Sequence, residues 1–315
     1  MMVPLLGGIF LGWSLGANDA SNVFGAAVSS RMVKFWTAAL LGAGFVLLGA
    51  LLEGGAGIET LKNLTPMDLN QAVVCSVGAA ATVSVMTLLA LPVSTSQAVV
   101  GAIVGIGLLN GKIDLGGLGK VVLCWLGTPL GGLVFALLVY RLLGTLYNRL
   151  PLNLFQVDRL LRIGLILAGS YGAYTLGANN VANVTAVFVG AGMLDVTSAA
   201  LIGGLSIGLG IVTFSRGVME TVGKKLVRVD AFSALVVVLA EAITVHVYTF
   251  LGVPVSTSQA VIGAVLGVGM VKGIQSVSGK TLGEVLAAWF FTPAVSALMA
   301  VAIDFVVHLE YVPGK

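Results

Sequence analysis

The sequence predicts an all-α integral membrane protein made of two inverted-topology repeats, each of about five apolar segments. Three observations predict it. First, the 315-residue chain is 58% hydrophobic and only 9% charged, with a mean hydropathy of +1.07. Soluble domains carry about 25% charged residues, so this chain cannot cover a water-facing surface. Second, long apolar runs recur along its whole length. Third, three landmarks occur twice in the same order. Gly16-Ala17-Asn18-Asp19-Ala20-Ser21-Asn22 returns as Gly177-Ala178-Asn179-Asn180-Val181-Ala182-Asn183, an offset of 161 (177 − 16). Pro92-Val93-Ser94-Thr95-Ser96-Gln97-Ala98-Val99 returns as Pro254-Val255-Ser256-Thr257-Ser258-Gln259-Ala260-Val261, an offset of 162 (254 − 92). Trp125-Leu126-Gly127-Thr128-Pro129 returns with substitutions as Trp289-Phe290-Phe291-Thr292-Pro293, an offset of 164 (289 − 125). Matched landmarks at nearly constant spacing are the mark of a duplication.

Composition also excludes some functions. The formal charge of +3 comes with no basic cluster large enough to hold nucleic acid. Cys75 and Cys124 lie in apolar runs without metal-ligand spacing and read as small core residues. The 43 glycines suit membrane helices whose backbones approach closely, and the Gly/Ala faces permit a homodimer. The apolar run after Met1 has no basic region before it, so it reads as a span rather than a cleavable signal.

In chain order, the first repeat (residues 1–145) has apolar segments at 2–29, 36–52, 70–91, 94–110 and 118–140. A polar, basic linker at 146–162 is expected on the cytoplasmic side. The second repeat (163–315) has segments at 163–191, 197–214, 231–251, 255–271 and 282–307. The first segment of each repeat is too long: as a helix it would span about 43 Å against roughly 30 Å of hydrocarbon. Glycine and asparagine near its middle are poor helix-interior residues. A helix broken at the Gly-Ala-Asn motif is therefore expected, its freed backbone groups facing a cavity. The fourth segment is short and begins at Pro-Val-Ser-Thr-Ser, where proline stops one helix and the hydroxyls cap the next. Segments three and four are either two crossings or a re-entrant hairpin with its tip at Ser-Thr-Ser.

Five segments per repeat fix the orientation. With the amino terminus outside, the inner loops carry Arg31, Lys34, Arg141, Arg149, Arg159, Arg162, Arg216, Lys224, Lys225, Arg228, Lys272 and Lys280. That is twelve of the sixteen Lys and Arg. Only Lys62, Lys112, Lys120 and Lys315 fall outside. The positive-inside rule then places both termini outside. An odd number of segments also inverts one repeat relative to the other, an arrangement common in secondary transporters.

Inversion would gather four polar stretches at the midplane. Asn18, Asp19, Asn22, Asn179, Asn180 and Asn183 come from the first segments. Ser94, Thr95, Ser96, Gln97, Ser256, Thr257, Ser258 and Gln259 come from the fourth. Together they offer hydroxyl and amide donors and helix N-termini, without Arg or Lys. That suits a small oxyanion that must be released again. The carbonyl and amide oxygens with one carboxylate suit a hard cation such as sodium. An intramembrane carboxylate is a functional candidate by default. Asp19 reads as a sodium ligand or as an acceptor for a protonated phosphate oxygen, which sulfate lacks. Glu241, where the first repeat has Ala79, reads equally as a proton or cation site or as a protonated acid bonded to a neighbouring helix. His246 reads as a satisfied core histidine. Trp13, Trp36, Trp125 and Trp289 read as packing or belt residues.

At Gly16-Ala17-Asn18-Asp19, Gly177-Ala178-Asn179-Asn180 and the paired Pro-Val-Ser-Thr-Ser runs, the chain resembles the inorganic phosphate transporter family over essentially both halves. The resemblance implies a sodium- or proton-coupled phosphate symporter of the plasma membrane, with sulfate carried instead by some bacterial relatives. It carries over Asn18, Asp19, Thr95, Ser96, Gln97, Asn179, Thr257, Ser258 and Gln259 as expected phosphate-binding residues. The expected sodium ligands are Asp19, Asn22, Ser94, Asn180, Asn183 and Ser256, with Glu241 as the candidate coupling acid. Three departures stand out. The family commonly has aspartate where this chain has Asn180. Many members have a glutamate near Leu41. The long central insert of animal relatives is missing. The expectation is alternating-access import of phosphate with sodium, in a lipid bilayer, without organic cofactor, enzymatic activity or nucleic-acid partner. The rivals are a sulfate or proton-coupled permease of the same architecture, and a passive anion channel.

Overall fold

The computed structural model describes residues 3–88, 93–226, 230–273 and 279–310. Of the positions read above, Pro92, Arg228 and Lys315 lie outside the described residues, as do the side chains of Lys224, Lys225 and Lys280. After a short 3₁₀ turn at Val3–Leu5 the described chain is helical: α1 (Leu6–Ser29), α2 (Phe35–Glu53), α3 (Gly55–Lys62), α4 (Leu69–Leu88), α5 (Thr95–Asn110), α6 (Leu115–Asn148), α7 (Leu154–Gly190), α8 (Val196–Leu226), α9 (Ala231–Phe250), α10 (Thr257–Lys272) and α11 (Gly279–Glu310). Six of these are long and apolar enough to cross a membrane. Their outward faces are apolar too: Leu123, Leu126 and Leu130 on α6 and Phe290 and Leu298 on α11 are exposed, as lipid contact requires.

Caps recur at equivalent positions. Ser94 Oγ accepts from Gln97 N (3.4 Å) to open α5, and Ser256 Oγ accepts from Gln259 N (3.3 Å) to open α10. Both helices end on a left-handed glycine, Gly111 and Gly273, the residue that pays no Cβ penalty there. Asn153 and Gln156 close a capping box at the start of α7. The polar stretch 146–162 is therefore mostly helical; only 149–153 separates α6 from α7.

The packing is reciprocal between the halves. α1 runs along α8 and α7 along α2; α6 runs along α10 and α11 along α5. Individual contacts repeat with the sequence offset. Gly16 lies against the Ile207 carbonyl and Gly177 against the Val46 carbonyl, so closely that a Cβ would overlap each oxygen. Both pairs share the offset (177 − 16 = 161; 207 − 46 = 161). Gly101 meets the Pro293 carbonyl as Gly263 meets the Pro129 carbonyl. The result is a core of α1, α2, α7 and α8 flanked by two groups, α4–α5–α11 and α9–α10–α6. Each group joins a helical hairpin of one half to a long helix of the other.

One expectation is corrected here. Neither α1 nor α7 breaks at its Gly-Ala-Asn motif; both run through it as continuous helices. The glycines serve close helix crossing rather than a break. The carboxamides reach sideways to neighbouring helices instead of competing for their own backbone, so tertiary contacts outweigh a propensity cost of about 1 kcal/mol per glycine. The interruptions lie instead at the Ser-Thr-Ser tips, between α4 and α5 and between α9 and α10.

The open ends of the two hairpins are both clasped, in each case through the equivalent last residue of α5 or α10 (272 − 110 = 162). In the first, Gln71 and Asn110 exchange two hydrogen bonds, of 3.0 and 3.1 Å. In the second, Lys272 Nζ bonds Asp230, which also caps α9 by accepting from Ser233 N (3.0 Å). Partial burial works to raise the Asp230 pKa. The Lys272 ammonium and the Ser233 donors outweigh it and hold the carboxyl below its usual value. A lowered folded-state pKa gives stability that is present above the unfolded pKa and lost as pH falls through the folded one. Asp230→Ala should therefore cost about 1 kcal/mol near neutrality, the usual value of an N-cap. Thermal melts in detergent should show wild type and variant converging as pH drops below the carboxylate range.

Candidate functional site

The four polar stretches meet. From α1, Asp19 Oδ2 accepts from Thr257 Oγ1 (3.2 Å) at the start of α10. Thr257 Oγ1 in turn accepts from Asn22 Nδ2 (3.1 Å), and Asn18 Nδ2 donates to Asp19 Oδ1 (3.3 Å). From α7, Asn179 holds Val255 at both ends of its peptide group. Its Nδ2 donates to Val255 O (2.8 Å) and its Oδ1 accepts from Val255 N (3.1 Å). Asn183 Nδ2 donates to both Ser96 Oγ and Asn180 Oδ1, each at 2.9 Å. Ser96 Oγ donates to Val255 O (3.0 Å), so the two hairpin tips touch each other as well as the core. Ser94 and Ser256 cap α5 and α10 from the same place, turning two helix N-termini toward the site; those ends carry partial positive charge and free amide donors.

This cluster is buried, yet several of its polar atoms have no partner: Gln97 Oε1, Gln259 Oε1, Asn183 Oδ1 and Asn180 Nδ2. Buried groups of this kind are normally satisfied, so each needs an explanation. Gln97 and Gln259 are equivalent positions (259 − 97 = 162), and both leave a carbonyl oxygen unused. Three lone acceptors and one lone donor are thus left for a bound ion to satisfy. Glu241 on α9 is fully buried and neither of its oxygens has a partner. No hydrogen bond joins it to a neighbouring helix in this structure. No group of three or more His, Cys, Asp or Glu side chains occurs among the described residues, so a cation here would be held by neutral oxygens and one or two carboxylates.

The site is not symmetric. Asn18 and Ser258 are half-buried, whereas their equivalents Asn179 and Ser96 are buried and tied to Val255. Two polar side chains of the cluster are thus partly accessible, while their equivalents are enclosed and hydrogen-bonded.

Reading the sequence missed one participant. Trp125 donates its indole N–H to Pro254 O (3.4 Å) at a hairpin tip. The repeated Trp-x-x-Thr-Pro landmark was the signal, but a tryptophan in an apolar run reads as packing. His246 is satisfied, as its core reading required, by Tyr171 and Glu53, each 2.8 Å away.

Residues 15–300 match the model of the phosphate transporter family. The chain is 31% identical to the sulfate permease CysP of Bacillus subtilis over 94% of this chain and 84% of that one. It is 25% identical to a Pyrococcus furiosus protein named "Putative phosphate permease", covering 95% of this chain and 94% of that one. Among solved structures it resembles one described as the sodium-dependent phosphate transporter, with a TM-score of 0.84, 24% identity and 98% of each chain covered.

Proposed function

Because the chain belongs to the phosphate transporter family, we propose that it is a secondary active transporter that imports inorganic phosphate together with sodium by alternating access. The observation that carries this reading is the gathering of four duplicated polar stretches around unpartnered buried oxygens and one unpartnered amide donor. Phosphate would be bound by Asn18, Asp19, Thr95, Ser96, Gln97, Asn179, Thr257, Ser258 and Gln259. Sodium would be held by Asp19, Asn22, Ser94, Asn180, Asn183 and Ser256. Hydroxyls, amides and helix ends bind an oxyanion without the fixed cation that would retain it. A co-bound sodium offsets its charge where few protein charges are present.

The reciprocal packing of α1 on α8 and α7 on α2 supports two inverted repeats, 1–145 and 163–315, and the clasped hairpin bases support tips that re-enter rather than cross. The unequal burial of the equivalent residues Asn18 and Asn179, and Ser258 and Ser96, supports an asymmetric state of the kind that alternating access requires. Both termini then lie outside a plasma membrane, with the 146–162 connection in the cytoplasm. The site hydroxyls bond amides, backbone and a carboxylate rather than a histidine base, which favours transport over catalysis.

A second reading, sulfate import, is favoured by the relationship to a sulfate permease and by Asn180. Asp19 opposes it, since sulfate has no proton to offer a carboxylate. Uptake of labelled phosphate into proteoliposomes, with and without an inward sodium gradient and with excess sulfate, tests both. Sodium-dependent uptake indifferent to sulfate is expected. Sulfate uptake without phosphate uptake would replace the first reading by the second, and gradient-independent flux would make the protein a channel.

A further inference from the structure

Away from the polar tips, four titratable side chains from three helices meet between the core and one flanking group. Glu53 ends α2, Tyr171 and Tyr174 lie on α7 and His246 on α9, and the Tyr174 hydroxyl donates to the Glu53 carboxylate. His246 Nε2 is 2.8 Å from Glu53 Oε2, and His246 Nδ1 is 2.8 Å from the Tyr171 hydroxyl. Phe250 stacks on the imidazole at 4.5 Å, and Tyr174 meets its edge at 5.9 Å. The side chains of His246 and Glu53 are 17% and 29% exposed, so the protein does not seal the cluster on every side.

The geometry suits two protonation states equally. With a neutral imidazole, Nε2–H donates to the Glu53 carboxylate and Nδ1 accepts from the Tyr171 hydroxyl. With an imidazolium, Nε2–H still donates to Glu53 and Nδ1–H donates to the Tyr171 oxygen, whose own hydrogen rotates away. Tyrosine is the partner that both donates and accepts. The added proton reverses the Tyr171 bond and turns a neutral donor facing a carboxylate into an ion pair, with the stronger bond that charge confers.

The fold does not demand this cluster. The equivalent positions in the other half are Phe214 (53 + 161), Phe10 (171 − 161), Trp13 (174 − 161) and Ser84 (246 − 162). There Phe10 stacks on Trp13 at 5.9 Å and Trp13 packs on Phe214 at 5.2 Å. An aromatic contact between α1 and α8 fills the place that, between α2, α7 and α9, holds an acid, an imidazole and a phenol. The charged version exists on one side only, like the carboxylates Asp19 and Glu241.

We propose that Glu53, His246 and Tyr171 form a proton-binding site, and that a proton bound there tightens α9 against α2 and makes transport depend on pH. The site's existence stands on its own geometry; its effect on transport rests on the alternating-access reading, in which the α9–α10 hairpin shifts against the core. The other charged groups around α9 are accounted for. Glu241 lies five residues earlier on the same helix, within electrostatic reach of Tyr171, and Asp19 faces it from α1. Lys120 of α6 bonds the Leu251 carbonyl at 2.8 Å. Glu59 and Lys62 of α3 pair with each other at 2.7 Å. Asp230 and Lys272 of α10 pair at the far end of α9.

The test is sodium-driven uptake of labelled phosphate by the full chain in proteoliposomes, with external pH varied across the range in which histidine titrates. The wild-type rate should change by about fivefold, the factor that one ordinary hydrogen bond's worth of free energy represents. His246→Gln and Glu53→Gln should flatten that dependence. Phosphate also ionises in this range, but that dependence would survive in both variants. Variants that keep the wild-type profile therefore overturn the proposal. A second readout needs no transport: spin labels at Leu52→Cys and Leu251→Cys, both exposed, in a background lacking Cys75 and Cys124. The α2–α9 distance distribution should narrow on acidification in the parent and not in the His246→Gln version. Absence of uptake by wild type at every pH would sink the transport reading, while the label distances would still decide the proton site.

Discussion

Replacing Asp19 by asparagine is expected to lower sodium-dependent uptake by about 100-fold while leaving the folded protein intact. The two parts of that expectation have separate grounds. Intactness follows from size and hydrogen bonding. An asparagine oxygen can still accept from Thr257, which now bonds Asp19 at 3.2 Å. The chain itself carries asparagine at the equivalent position, Asn180, fully buried and hydrogen-bonded by Asn183. The loss follows from charge. Asp19 supplies the negative charge next to the α10 tip, and on the proposed reading it is a ligand of sodium and an acceptor for a phosphate proton. A hydrogen bond or contact to a charged group is worth about 1.5–3 kcal/mol, and each 1.4 kcal/mol is tenfold, so a factor near 100 is the upper end of one lost charged contact. The measurement is initial uptake rate against sodium concentration, with gel-filtration profile and thermal midpoint recorded on the same preparations. Uptake at the wild-type level with unchanged sodium dependence would remove Asp19 from the site.

How far the site could be read without coordinates depended on whether its parts were close in sequence or brought together by folding. The Gly-Ala-Asn and Ser-Thr-Ser stretches were legible because each is contiguous and each occurs twice, and the structure does bring them together. The continuity of α1 and α7 was not legible. Residue by residue, glycine and asparagine argue for a break; what keeps Gly16 and Gly177 helical is a carbonyl more than 120 positions away, on Ile207 or Val46. Trp125 failed in the same way, since an indole that bonds Pro254 has the same local pattern as one that only packs. The pairing of Glu53 with His246, 193 residues apart, has no sequence signature at all. Nor has the short helix α3, which packs against α7. Duplication pointed to contacts that recur between the halves, because it is a property of the whole chain. It reported the chemistry poorly wherever the halves differ, and they differ at Asp19 against Asn180, at Glu241 against Ala79 and at His246 against Ser84.

Gly177→Val should strongly destabilise the folded protein, and Gly16→Val should do so to the same degree. Some glycines of this chain, such as Gly44 and Gly119, face open space. At Gly16 and Gly177, as at Gly49 and Gly210, the neighbour is backbone: a Cβ on Gly177 would overlap the Val46 carbonyl, and one on Gly16 would overlap the Ile207 carbonyl. Neither oxygen can move without separating α7 from α2 or α1 from α8, the most extensive helix contacts of the core. Overpacking a close-packed interior costs about 1–3 kcal/mol when side chains can adjust. With rigid helices opposed on both sides, about 3 kcal/mol or more is expected here, a large share of the 5–15 kcal/mol that typically holds a protein folded. The control is Gly44→Ala on α2, where nothing lies within 4 Å of the added methyl; it should leave the thermal midpoint unchanged or raise it, since alanine is the better helix former by up to about 1 kcal/mol. Yield of monodisperse protein and the midpoint of unfolding in detergent report all three. A Gly177→Val protein that melts like wild type would mean that α7 and α2 do not cross as closely as the reciprocal contacts require. A large loss at Gly177 with none at Gly16 would mean that the two halves, though built from one repeated unit, do not depend on that crossing equally. Losses of similar size at both would tie the duplication seen in the sequence to the packing that keeps α1 and α7 unbroken through their polar motifs.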